Sequence, residues 1–436
     1  MKKVLIITYY WPPMGGGGVQ RWLKFVKYLR EYGWEPVVFT TEGGNISIRD
    51  ESLYRDIPED VEVIRHPIRE PYGIYNRLMG KKKDEGFHAG FVEKEKQEGP
   101  SLMKRFTMWV RGALFIPDAK MLWIGPASRR IKKILRTRSF DAMVSTGPPH
   151  TTHIIADKVK RKHSELPWLA DFRDPWTEID FFHHLPMPKW AEKRHKKLEK
   201  RVLQRADQVV TVSWSWAKDL GRIGAREVEV ITNGYDEADL PSKGSVPLTE
   251  SFSITHAGAF NKDRNPPALW EAMGEVAEEE EGFRASLQIR SIGPTDHVVR
   301  EGVEKAGLIE DLTLIDQLPH KEVIPYLCAS WVLLLPLNDT PNINGVVPGK
   351  LYEYLGVRRP ILCTGKADGD AAWIVENSNA GVALDIDDRQ GIKEALRTYF
   401  QGYRQGRLEV DSGSIEAYSR RTLTGGISRL LDGMIS

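Results

Sequence analysis

Four stretches of the chain gather residue types that bind or move charge. The first is Gly15-Gly16-Gly17-Gly18, between an apolar run and a helical pattern. A strand, then glycines, then a helix start brings free backbone N–H groups and the positive helix end to one point, which attracts a phosphate. Gly16, Gly17 and Gly18 are its candidate contacts. No Gly-Lys-Ser/Thr follows, so the tract is not a P-loop; the expected second strand, Pro36–Thr41, holds no acidic residue, so a dinucleotide fingerprint is not expected. The second stretch is Gly258-Ala259-Phe260-Asn261-Lys262-Asp263-Arg264-Asn265-Pro266. Lys262 and Arg264, on a loop opening a helix, form a clamp for a diphosphate. The third runs from Asn344 to Leu355. A Gly/Pro loop enters a helix at Lys350, so the N–H groups from Gly349 through Leu351 and the Lys350 side chain suit a phosphate. Glu353, one turn further, suits a pair of ribose hydroxyls. The fourth is Ala170-Asp171-Phe172-Arg173-Asp174-Pro175-Trp176, with Gly147-Pro148-Pro149-His150 ending another strand. Polar residues there lie at the active edge of an open sheet. Arg173 and Asp174 can orient or deprotonate a hydroxyl, with His150 as a third candidate. Each stretch also has a plainer reading: a surface turn, surface charge, an exposed first-turn acid, or a structural ion pair.

These residues need a scaffold, and the apolar pattern supplies one. Val4–Tyr10 is near-continuously apolar, as in a strand covered on both faces. Val19, Trp22, Leu23, Val26 and Leu29 then fall on one helical stripe. Further strands are expected at Pro36–Thr41, Val61–Arg65, Asp141–Ser145, Pro167–Phe172, Gln208–Ser213 and Glu227–Thr232, with a helix at Trp190–Arg205. The turn-rich segment 233–250 breaks the pattern. It resumes with strands at Ser253–Ala257, Ser286–Ile292, Leu312–Asp316, Trp331–Leu337, Pro360–Thr364 and Val382–Ile386. Helices fit Pro266–Glu281, His320–Ala329, Lys350–Leu355, Ala371–Glu376 and Gly391–Phe400. The alternation predicts an α/β protein of two tandem Rossmann-like, doubly wound sheets. Ser414–Met434 reads as helical, with Gly425-Gly426 as a point of kinking.

Composition narrows the classes. The 436 residues suit two to three domains, and 41 % hydrophobic content is enough for real cores. Two cysteines, Cys328 and Cys363, exclude a disulfide framework and a cysteine-based zinc site. A net charge of +2 gives no support to nucleic-acid binding. No segment approaches the roughly 18 consecutive apolar residues that span a bilayer. Lys2-Lys3 followed by Val4–Trp11 reads as a first strand rather than a signal peptide. The expected location is therefore cytoplasmic. Residues 76–138 depart from the alternation, because Lys and Arg interleave there with Phe106, Trp109, Phe115 and Trp123. That mixture fits an anionic membrane surface, and equally a solvated helix with a core-facing stripe, with nucleic acid as a lesser alternative.

Together these motifs resemble a glycosyltransferase of the GT-B fold, within family 4 of the retaining enzymes. Tyr9-Tyr10-Trp11-Pro12-Pro13 with Gly15–Gly18 resembles that family's first strand and glycine loop. Pro167–Trp176 is similar to its strand ending in a His-Asp pair, Asp207–Ser213 to a further strand, and Ile231–Asp236 to its Asn-Gly-x-Asp hinge. His256–Pro266 stands in the place of its diphosphate loop, and Leu318-Pro319-His320 resembles the loop beside the base. Lys350–Leu355 and Arg359-Pro360-Ile361-Leu362 resemble its donor helix and next strand. Two departures stand out. Of the family's two glutamates eight positions apart, Glu353 fits the second and Gly345 occupies the first; Arg173 replaces the acceptor-side His, with Asp174 retained.

The resemblance implies transfer of a sugar from a nucleotide diphosphate sugar to a hydroxyl with retained configuration. Residues 1–233 would bind the acceptor, together with a returning helix in 413–436, and residues 234–412 the donor, with the site between the halves. Asp174, Arg173, Lys262 and Arg264 are the implied catalytic residues. Gly16, Gly17, Gly18, Gly258, Lys262, Arg264, His320, Gly349, Lys350, Leu351 and Glu353 are the implied donor contacts, and His150, Arg173 and Asp174 the acceptor contacts. No Asp-x-Asp motif ends a strand, so Lys262, Arg264, Lys350 and helix N-termini are expected to hold the diphosphate, with no metal and no other cofactor. The basic stretch points to a lipid-linked or polysaccharide acceptor at the inner face of a membrane. Rival readings are an epimerase of the same fold, a non-catalytic nucleotide-sugar binder, and an NAD-dependent oxidoreductase, for which Thr40-Thr41-Glu42 supplies only a poor ribose acid.

Overall fold

The computed structural model describes the chain except residues 45, 47, 70–111, 114, 180, 181, 183–186, 243, 339, 341, 342, 409, 411–413 and 436. It divides into two units, Met1–Thr232 with Arg420–Ser436, and Asn233–Ser419.

The first unit is built on a parallel sheet of order β3-β2-β1-β4-β5-β6-β7. The strands are β1 (Lys2–Ile7), β2 (Trp34–Glu42), β3 (Glu62–Pro67), β4 (Ala142–Gly147), β5 (Trp168–Phe172), β6 (Gln208–Thr211) and β7 (Val228–Val230). Helices α1 (Gly17–Leu29), α2 (Ile124–Leu135), α3 (Thr151–Lys160), α4 (Lys189–Arg205) and α5 (Trp214–Ile223) flank it. β4 and β5 are buried along their whole length, and the polar Ser145, Thr146 and Asp171 within them are hydrogen-bonded to protein partners. Ile6 pairs with Val38 on one side and Val144 on the other. The strand order thus reverses between β1 and β4, the place where open parallel sheets open a crevice at their carboxyl ends.

The second unit repeats the plan, with order β10-β9-β8-β11-β12-β13. Its strands are β8 (Phe252–Ala257), β9 (Leu287–Ile292), β10 (Leu312–Ile315), β11 (Val332–Pro336), β12 (Ile361–Gly365) and β13 (Gly381–Asp385). Its helices are α6 (Pro267–Glu279), α7 (Phe283–Ser286), α8 (His297–Lys305), α9 (His320–Cys328), α10 (Gly349–Val357), α11 (Asp370–Asn377) and α12 (Arg389–Arg404). Here the reversal falls between β8 and β11.

The last helix, α13 (Arg420–Ile435), belongs to the first unit. Leu423, Ile427 and Leu431 join the same buried cluster as Val19, Trp22 and Val26 of α1. The helix runs through Gly425 and Gly426 without interruption. Those glycines serve close packing: a Cβ at Gly425 would lie 2.9 Å from the Tyr32 ring, and one at Gly426 2.9 Å from Ile231.

Of the basic stretch 76–138, residues 76–111 and 114 lie outside the described residues. In the rest, Trp123 is a core residue, stacked 5.8 Å from Phe39. Ile124, Ala127, Ile131 and Ile134 face the sheet, while Arg129, Arg130, Lys133 and Arg136 are exposed. α2 is thus an amphipathic helix whose aromatic end is core and whose cations are solvated. Burial and the neighbouring Lys162, Lys158 and Arg161 lower the pKa of Lys132, so α2 and α3 carry one positive face. Among the described residues no helix is long and apolar enough to cross a membrane.

Candidate functional site

Each unit carries a polar cluster at its strand-order reversal. In the first, the glycine tract enters α1. Gly16 takes φ 87°, a left-handed conformation natural to glycine, and caps the helix. Gly17 and Gly18 already belong to α1, with Gly17 exposed. A Cβ at Gly18 would lie 3.0 Å from the Tyr10 ring.

Two arginines hold this loop. Arg21, fully buried in α1, donates through Nε (3.1 Å) and Nη2 (2.9 Å) to Oδ1 of Asp171 at the end of β5. Its Nη1 donates to the Thr232 carbonyl at 2.7 Å. Trp22 Nε1 and Thr146 Oγ1 donate to the other Asp171 oxygen, at 2.6 and 2.8 Å. Burial alone would raise the Asp171 pKa; Arg21 and these hydrogen bonds outweigh it and hold the carboxyl below its ordinary range. The partner of Asp171 therefore lies 150 residues away. Arg173 donates to the carbonyls of Gly18 and Pro148, and through Nε to that of Gly147 at 3.4 Å. It is a staple between the glycine loop and the β4–α3 loop, its three donor nitrogens committed to backbone. Asp174, half-buried beside it, makes no hydrogen bond or ion pair among the described residues, and burial raises its pKa.

His150 precedes α3. Its ring stacks on Trp176 at 4.7 Å and 2°, and its Nδ1 finds no partner among the described residues. Burial, then His153, Arg173 and His195, push its pKa well below the ordinary value, so it is neutral. Trp176 Nε1 donates to His195 Nδ1 at 3.0 Å, and burial pushes His195 down to about 4. Behind them Thr177 Oγ1 donates at 2.5 Å to Glu199, whose pKa burial pushes up to about 7.

The second cluster sits at the carboxyl ends of β8 and β11. Lys350, in the first turn of α10, points its Nζ at the Gly258 Cα, where a Cβ would lie 3.0 Å away. Gly258 takes φ 97°, so the position is glycine-like on two counts. The same Nζ lies 3.3 Å from His256 Nε2. Arg264 donates through Nε to Asn338 Oδ1 at 2.5 Å and through Nη1 to the Ala259 carbonyl at 3.1 Å. Burial, then Arg264, push Lys350 down to about 7, and Glu353 opposes them. Glu353 pairs with His320 Nε2 at 2.9 Å. Tyr354 ties the floor together: its hydroxyl accepts the Ala257 N–H at 3.0 Å and donates to the Leu334 carbonyl at 3.4 Å.

The structure thus brings Gly258, Arg264, Lys350, Glu353 and His320 to one face of the second unit. It separates two of the expected donor contacts from them. Lys262 is exposed and lines a different groove of ≈ 620 Å³, with Glu271, Asp387 and Arg389. The Leu351 side chain is fully buried, and its N–H is spent on the Pro348 carbonyl. Gly349 is exposed at the start of α10. His256, Asn338 and Tyr354 are site residues that the motif reading did not single out. Tyr354 was signalled by its spacing, four residues after Lys350 on one helix face.

Solved structures share this architecture over the whole chain. Sucrose-phosphate synthase from Thermosynechococcus elongatus matches with TM-score 0.62 and 14 % identity, over 100 % of this chain and 99 % of its own. Anabaena HepE in complex with UDP-glucose matches with TM-score 0.62 and 11 % identity, over 99 % and 100 %. The Escherichia coli structure titled trehalose-6-phosphate bound with UDP-2-fluoro glucose matches with TM-score 0.61 and 12 % identity, over 99 % of each chain. The fold is therefore GT-B, two Rossmann-like sheets. Residues 16–234, half of the chain, match the family model described as a glycosyl transferase 4-like domain, and the protein belongs to that family of glycosyltransferases. No curated protein sequence matches the chain.

Proposed function

We propose that the protein is a retaining, hexosyl-transferring enzyme that takes its sugar from a nucleotide diphosphate sugar. The observation that carries this reading is the second-unit cluster: Lys350 and Arg264 beside the N-terminus of α10, against the single carboxylate of Glu353. Such a cluster is complete only with an anion. Two fold neighbours were solved with a UDP-sugar bound, which supports a nucleotide-sugar donor.

In the proposed reaction the bond between the anomeric carbon and the diphosphate oxygen breaks, and the electron pair stays on the diphosphate. Arg264, Lys350 and the α10 amide dipoles stabilise that charge, the work a divalent cation does elsewhere. No metal step is required. The acceptor hydroxyl attacks from the face the diphosphate leaves, and its proton passes to the departing phosphate oxygen. The acceptor is assigned to the first unit, where Asp174 has an uncommitted carboxylate and His150 a neutral ring. Arg173 acts there through the loops it staples. The positive face of α2 and α3 supports a lipid-linked or surface-polysaccharide acceptor at the cytoplasmic side of a membrane.

The test is transfer from UDP-, GDP-, ADP-, CDP- and dTDP-sugars to polyprenyl-linked saccharides, with EDTA present and the product anomer read by NMR. Turnover in EDTA with retained configuration is expected. Inversion, or a strict need for added metal, contradicts the reading.

A further inference from the structure

One group beneath the donor cluster has no part in the mechanism above. His256, the penultimate residue of β8, lies inside the core. Its Nδ1 lies 3.1 Å from the Leu334 carbonyl, which can only accept, so Nδ1 carries the proton. Nε2 is then a bare lone pair, aimed at Lys350 Nζ 3.3 Å away. Burial, then the Lys350 charge, keep the ring neutral against the opposing pull of the Leu334 and Ala259 carbonyls.

The groups facing Lys350 are mostly of the wrong sign or neutral. From β8 comes His256, and from the loop after it Arg264, whose Nη1 is anchored on Ala259. From α10 itself come Glu353 and Tyr354, and Glu353 is shared with His320 of α9. The positive end of α10 adds to the same side. A buried amine in that company is a weak cation until an anion arrives.

We propose that His256 is a positioning residue that holds the Lys350 side chain over Gly258 in wait for the donor, and that the diphosphate binds together with one proton. This deepens the donor-site reading above and rests on it. The proton comes from solvent and ends on Lys350 Nζ, whose hydrogen bond then passes from His256 to a phosphoryl oxygen. With free Lys350 at about 7, the amine is mostly neutral at pH 8, while the terminal phosphate, with its second ionisation near 6, is already charged.

The experiment is calorimetric titration with UDP, GDP, ADP, CDP and dTDP, following whichever binds tightest. At pH 8 it is run in two buffers of different ionisation enthalpy. The wild type should take up close to one proton, and its affinity should fall about ninefold from pH 8 to pH 9. Lys350→Met should bind more weakly with no proton uptake. His256→Phe, similar in shape, should move the midpoint of the affinity–pH profile at least half a unit below the wild type; His256→Gln, which keeps a donor and an acceptor, should return it. Heats independent of buffer in a wild type that binds overturn the inference and leave the donor-site reading standing. A His256→Phe profile superimposed on the wild type also overturns it. Absence of binding by all five nucleotides instead refutes the donor-site reading itself.

Discussion

The two strand-order reversals, built on the same plan, handle charge in opposite ways. In the first unit the charged groups other than Asp174 are spent internally. Asp171 is enclosed by Arg21, Trp22 and Thr146, and Arg173 by three carbonyls. In the second unit Lys350 and Arg264 share one face against a carboxylate that is itself paired with His320. A saturated cluster positions a loop, whereas an under-neutralised one demands a ligand. Residue type alone does not separate the two cases, since each begins as arginine and aspartate near a strand end.

The comparison breaks most sharply at Asp171. Asp171→Ala leaves Arg21 buried without its counter-charge and should cost about 3–5 kcal/mol of stability in urea unfolding. A cost below about 1 kcal/mol would mean the enclosure is not structural. Acid is the next probe. His150, His153 and His195 are held neutral in the fold, the last two at about 3 and about 4. The unfolded chain therefore binds more protons below pH 6.5, and stability falls as pH drops from 6.5 towards 4. Glu199, at about 7 in the fold, works against this between pH 7 and 4.5, because there the fold holds the extra proton. Stability should fall from pH 6.5 to pH 4.5, and Glu199→Gln should steepen the fall, as followed by denaturation at the two pH values.

In the second unit the sign of the experiment changes. Arg264→Ala should leave unfolding within about 0.5 kcal/mol. It should weaken nucleoside diphosphate binding by about 1.5–3 kcal/mol, measured by calorimetry. An unfolding loss as large as the binding loss would make Arg264 a second Asp171-type group. The smallest effect is expected at Lys262, which is exposed and faces the other groove. Lys262→Ala should change affinity by less than about 0.5 kcal/mol.

Most of the scaffold was legible in the sequence because its central strands are buried on both faces and its turns carry Gly and Pro. Strand boundaries agree to within one or two residues, as with Ser253–Ala257 against Phe252–Ala257, except at β1, which ends at Ile7 rather than Tyr10. The glycine tract was read as loop, yet Gly17 and Gly18 lie in α1, because local helix signals say nothing about where tertiary packing starts the first turn. The donor loop was legible as a motif but not in its division of labour. Lys262 and Arg264 are two residues apart, and the single 3-10 turn Lys262–Arg264 sends one cation to Asn338 and the other to solvent. Arg21–Asp171 and His256–Lys350 were hidden for a different reason. Each joins residues about a hundred or more positions apart, and His256 stands in a strand where its period marks it only as buried.

The central claim is that Arg264 and Lys350 bind the diphosphate of the donor without a metal. Equilibrium titration of the wild type and of Arg264→Ala with the five nucleoside diphosphates in EDTA tests it most directly. The account predicts saturable binding of at least one nucleotide to the wild type, undiminished by EDTA and at least tenfold weaker in the variant. Equal affinity in the two proteins, or binding that disappears in EDTA, would contradict it.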